Sequence, residues 1–205
     1  MSLIIVSILD DGNRAMVAVD TAAMLVGSNI YHHTSKMIPF VQASAILAGR
    51  GNKRFLLDVF ANIFSALGAL SFDDAFDALG QQIDPMHREW VRRYRAEGAE
   101  PDPAGQELVL VGWSAREARF VGLAVTLHQG MSAFDVHRMI NGHVTPWDDC
   151  MGASVMPTTI GEVASLAAAQ VGYCRSTSPL TPIGGSLLIA ELTQNRMNIQ
   201  KLPLG

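Results

Sequence analysis

Hydrophobic residues come in two rhythms along this chain, and the changes between them divide it into strand and helix segments. Residues 3–9 (LIIVSIL) and 15–19 (AMVAV) are runs rich in β-branched residues, joined by DDGN. The Asp-Gly pair is a strong hairpin signal, so the chain is expected to open with two antiparallel strands. Residues 27–40 (GSNIYHHTSKMIPF) read as two short strands, and 43–51 (ASAILAGRG) as a buried strand ending in a glycine turn. From Asn52 to Leu70 the rhythm changes. Phe55, Leu56, Val59, Phe60, Ile63, Phe64 and Leu67 recur at helical spacing and form one face. Ser71 with Asp74 three places on is a variant of the capping box, and a second helix is expected to run to Ala96 with a break near Pro85.

The acidic, proline-rich stretch 97–105 reads as a loop, not a domain boundary. Strands resume at 107–114 (ELVLVGWS) and 119–127 (RFVGLAVTL) around the turn AREA, and residues 128–156 are expected to be irregular. A helix follows over 158–173, capped by Thr158 or Thr159, and a final hairpin over 184–202 turns at QNRM. The strands come as hairpins and lack the alternation that builds a parallel sheet. The expected fold is therefore α+β: two antiparallel sheets packed together with helices outside, a four-layer αββα sandwich. With 205 residues and 49% hydrophobic content, residues 1–205 are expected to form a single domain.

Charge narrows the function classes. A net charge of -4 with only 15 Lys and Arg argues against a nucleic-acid surface. The arginine-rich stretch 87–95 (HREWVRRYR) reads as a solvated helix face. Cys150 and Cys174 are too few for a disulfide framework or a zinc site, and two reduced thiols suit the cytoplasm. LIIVSIL is too short for a membrane span, and the protein is expected to be soluble and cytoplasmic. The histidines 32, 33, 128, 137 and 143 and the pair Asp148-Asp149 fit no metal-site spacing, and the glycines of AGRGNKR lack the ending of a phosphate loop. Neither a metal nor a cofactor is expected.

The order of elements, together with AVDT at 18–21, SKMI at 35–38, AGRG at 48–51, VGWS at 111–114 and IGGSLLIAELT at 183–193, resembles the proteasome β-subunit family and its relatives among the N-terminal nucleophile hydrolases. The resemblance covers nearly the whole chain. In that family the first residue of the mature chain supplies both nucleophile and base: its hydroxyl attacks an amide carbonyl while its α-amine, with an ordinary pKa near ~8, carries the proton. Carried over, the resemblance implies Ser2 as nucleophile after removal of Met1, Asp20 as the supporting aspartate and Gly49 as the oxyanion donor.

Other family positions depart from the pattern. Where the family has its lysine, this chain has His33, which supplies less fixed positive charge near neutral pH. Lys36 lies three places on, and strand alternation is expected to turn it to the opposite face. A family serine and aspartate fall near Ile183 and Leu180, both apolar, and CMGAS at 150–154 is a loose match to a glycine-serine segment. The resemblance thus implies two alternatives. One is a divergent peptidase or amidohydrolase acting on a peptide or amide through Ser2, Asp20, His33 and Gly49. The other is a non-catalytic scaffold or oligomeric binding protein that keeps the fold. Relatives assemble through their helices, so a homo-oligomer is expected in either case.

Overall fold

The structure, a computed structural model, describes residues 2–24, 31–67, 71–99, 105–146, 156–177 and 183–204. Met1, Leu180 and residues 147–155, on which parts of the sequence reading fall, lie outside these segments. The first sheet contains β1 (Ile4–Leu9), β2 (Arg14–Asp20), β10 (Gly142–Thr145), β11 (Gly185–Thr193) and β12 (Arg196–Leu204), in the order β10-β1-β2-β11-β12. The second contains β5 (Met37–Phe40), β6 (Ala45–Arg50), β7 (Gln106–Ser114), β8 (Arg119–Leu127) and β9 (Asp135–Met139), in chain order. A short ladder joins β3 (Ala22–Met24) to β4 (Tyr31–His33). All strand pairs in both sheets are antiparallel.

The near-continuous apolar runs of β1, β2, β6 and β7 follow from burial on both faces. Ile4, Val6, Val17, Val19, Ile46, Ala48, Val109 and Val111 meet in the layer between the sheets. The alternate residues Leu3, Ile5, Met16 and Ala18 face α3 (Ile160–Thr177), and Ala45, Leu47, Leu108 and Leu110 face α1 (Lys53–Leu67) and α2 (Phe72–Ala96).

Several expectations are corrected. The helices do not make the two matching outer layers of a four-layer αββα sandwich. Among the described residues there are three: α1 and α2 pair over the second sheet, whereas α3 lies alone against the first, mainly over β11 and β12. The architecture is a largely antiparallel sandwich of two sheets with some helices. Hairpin spacing specifies the sheets but not how many helices cover each face. The segment 128–156, read as irregular, contains the edge strands β9, mostly exposed, and β10, mostly half-buried, and neither gave a hydrophobic pattern. Pro85 does not break α2. Its ring costs one backbone bond, but Leu79, Ile83 and Trp90 on either side are buried in one core and carry the helix through. The capping box is present: Ser71 Oγ accepts from the Asp74 N–H, and the Asp74 carboxylate accepts from the Ser71 N–H.

Candidate active site

Asp20 closes β2 and is fully buried, so its carboxylate requires partners. Three donors meet it. Oδ1 accepts from the Leu3 N–H at 2.9 Å and from Lys36 Nζ at 2.8 Å, and Oδ2 accepts from the Gly184 N–H at 3.1 Å. The first of these bonds holds the start of the chain, one residue past Ser2, against the end of β2. Lys36 Nζ also donates to Ser2 Oγ at 2.8 Å. One ammonium therefore bridges the hydroxyl at the chain start and the buried carboxylate.

Lys36 does not face away from the site, for a local reason. β4 ends at His33 and β5 begins at Met37, so residues 34–36 are not extended strand and the two-residue alternation does not run through them. The break lets the Lys36 side chain turn in toward Ser2 and Asp20, where it is 7% exposed. Burial lowers the Lys36 pKa, and the charge and hydrogen bond of Asp20 partly restore it. The balance leaves it below the ordinary lysine value. Lys36 lies in the SKMI segment that carries the resemblance, but nothing in the sequence there says that the strand stops short of it.

His33 is placed elsewhere. Its Nδ1 lies 3.0 Å from Thr21 Oγ, which in turn accepts from the Ser186 N–H at 3.0 Å. The ring packs over Gly185, where an added Cβ would fall 2.6 Å from His33 Cε1. Gly185 has φ +80, a left-handed conformation that favours glycine. The second glycine of the pair thus makes room for His33, and the amide of the first serves Asp20.

Gly49 lies beside this cluster, but its N–H donates to the Lys36 carbonyl at 2.9 Å. An oxyanion role for that amide requires this bond to open. Ile183, where the family pattern has a polar residue, is 4% exposed in the apolar core under α3. The structure thus brings Ser2, Asp20 and Gly49 to one end of the sandwich around Lys36, and sets His33 next door on Thr21. Chemically, such an arrangement offers a partly buried hydroxyl held by a cation, a fixed buried anion, and the chain start close by.

No family model matches the chain, and no curated protein sequence matches it. Solved structures do. A mutant of Anbu from Hyphomicrobium sp. strain MC1 superposes with a TM-score of 0.65 at 12% identity, covering 99% of this chain and 87% of that one. Anbu from the same strain gives 0.61 at 13%, covering 98% and 87%. Anbu from Yersinia bercovieri, described as an ancestral beta-subunit, gives 0.64 at 11%, covering 98% and 87%. Likeness at this identity shows the fold alone, and that fold is proteasome-related. The expected placement among the proteasome β subunits and their N-terminal nucleophile relatives is thereby corrected: the similar structures are Anbu proteins, a related but different branch, and they carry no assignment of chemistry to this chain.

Proposed function

We propose that the protein cleaves an amide bond with Ser2 as nucleophile, once Met1 has been removed. The observation that carries this reading is the single ammonium of Lys36 at 2.8 Å from both Ser2 Oγ and Asp20 Oδ1. A buried salt bridge by itself contributes little net stability, whereas one aimed at a hydroxyl fixes its position and favours its oxyanion form. In the proposed reaction Ser2 Oγ attacks the carbonyl carbon, and its proton passes to the freed α-amine and on to the departing nitrogen. Water then hydrolyses the resulting ester. Asp20 holds the ammonium and, through the Leu3 amide, the position of the chain start. Gly49 serves as the oxyanion donor by opening its bond to the Lys36 carbonyl, and His33, held on Thr21, stands next to Asp20's strand end. The substrate is a peptide or another amide, and the protein works as a cytoplasmic homo-oligomer.

A second reading, a non-catalytic scaffold with the same fold, is favoured by two observations: the Gly49 amide is already committed, and Ile183 is apolar. The two readings separate on intact mass before and after exposure to a β-lactone or vinyl sulfone. Loss of one methionine and a single adduct, absent in Ser2→Ala, supports the hydrolase; a retained methionine and no adduct supports the scaffold. Among the described residues no helix is long and apolar enough to cross a membrane.

A further inference from the structure

Next to the Ser2 cluster lies a group of charged residues that the proposed reaction does not use. Arg50 ends β6 directly after Gly49, and Glu107 sits opposite it in register on β7. By strand alternation both side chains belong to the inner face, with Ile46 and Ala48 on one strand and Val109 and Val111 on the other. His143, paired with the inward-facing Val6, meets them from the first sheet. Glu107 is 2% exposed, and its two oxygens are divided between Arg50 Nε and His143 Nε2. Burial pushes its carboxyl up, but the hydrogen bond of His143 and the charge of Arg50 outweigh that and hold it below the ordinary carboxylate value. It therefore stays ionised and keeps hold of Arg50.

That hold is one-sided. Only Nε of Arg50 has a partner among the described residues, and the side chain is 29% exposed, so the two terminal nitrogens are left as an open fork. The strand that carries the fork runs into the Ser2 cluster: Lys36, whose carbonyl accepts from the Gly49 N–H, is the residue that donates to Ser2 Oγ. Arg50 adjoins the residue whose amide bonds Lys36, and the Cys174 thiol, pushed up mainly by burial, also feels both Arg50 and Asp20. A planar guanidinium anchored on its inner edge, with its outer edge free, suits bidentate capture of a carboxylate.

We propose that Arg50 is a specificity-determining residue of the Ser2 site, binding an acidic side chain adjacent to the scissile amide, with Glu107 and His143 as the positioning residues that hold its fork. The inference rests on Ser2 being the nucleophile. The test uses two peptide vinyl sulfones that differ only in glutamate or glutamine next to the warhead, with labelling of Ser2 followed by intact mass. The expected result is about tenfold faster labelling by the glutamate probe, the size of one charge-assisted interaction. The preference falls to about one in Arg50→Gln, is partly kept in Arg50→Lys, shrinks in Glu107→Gln, and is unchanged in Arg88→Gln on the exposed face of α2. Equal rates in the wild type, or a preference that survives Arg50→Gln, overturns the proposal. If neither probe labels Ser2, the nucleophile reading fails on its own, and the anion site is then read from the Arg50 Nε resonance during titration with N-acetylglutamate amide or N-acetylglutamine amide. A shift with the glutamate compound alone supports the anion site; no shift overturns it.

Discussion

Replacing Lys36 by methionine removes the cation between Ser2 and Asp20 while keeping most of the side-chain volume, so its effect isolates the charge. In the wild type Lys36 is 7% exposed and Asp20 fully buried, with Nζ and Oδ1 2.8 Å apart. Breaking a buried pair from one side typically costs about 3–5 kcal/mol, because the remaining charge is stranded. Asp20 keeps two backbone donors, the Leu3 and Gly184 amides, which places the expected loss near the lower end, about 3 kcal/mol. For a chain of this length that lowers Tm by roughly 6–12 °C. Urea denaturation at neutral pH gives the magnitude, and a cycle with Asp20→Asn gives the coupling: the double variant loses less than the sum of the singles, since neither stranded charge remains. A loss under about 1 kcal/mol in Lys36→Met, or strict additivity, refutes the bridged arrangement.

Three further outcomes follow from the same geometry. The Lys36 pKa is lowered on folding by burial, so the unfolded chain binds the extra proton and stability gains a contribution as pH rises from the folded value toward 10.5; Lys36→Met loses that upward slope in urea titrations on the alkaline side. The Glu107 pKa is also lowered, so its stabilisation is present above the unfolded carboxyl value near ~4.3 and disappears as pH falls through the folded one; the acid limb of a Tm-against-pH curve is shallower in Glu107→Gln. Gly185→Ala puts a Cβ at φ +80 and within 2.9 Å of Thr21 Oγ and 2.6 Å of the His33 ring; it costs about 1–3 kcal/mol and moves the His33 ring resonances, whereas unmoved resonances and unchanged stability contradict the close packing.

Much of the sandwich is visible in the sequence because burial on both faces leaves a local trace. The apolar runs of β1, β2, β6 and β7 are such a trace, and so is the Ser71–Asp74 cap that starts α2. The edge strands β9 and β10 leave none. β9 is exposed at Asp135, Val136, His137 and Arg138, so its pattern was indistinguishable from loop. The layering of the helices was equally hidden: α3 buries Val163, Ala167, Gln170, Val171 and Cys174, a face of mostly small residues that does not declare which sheet it covers. At the site, Asp20 was reached through the resemblance carried by AVDT and not from the strand pattern, and the structure sets it beside the chain start. Lys36 was not, since a short interruption between β4 and β5 shifted its phase and no composition rule marks three non-strand residues between two three- or four-residue strands. His33 was favoured by counting alone, and its bond to Thr21 depends on Gly185 and Ser186, far off in the chain.

Whether Ser2 is a nucleophile is read most directly from the intact mass of untagged protein expressed from its own start codon, taken before and after treatment with a β-lactone. A nucleophilic Ser2 predicts loss of one methionine, then a single adduct that peptide mapping places on Ser2 and that both Ser2→Ala and Lys36→Met abolish or strongly slow. A chain that keeps Met1 and takes up no reagent contradicts it, and leaves the bridge between Ser2, Lys36 and Asp20 as a purely structural tie at the start of the first sheet.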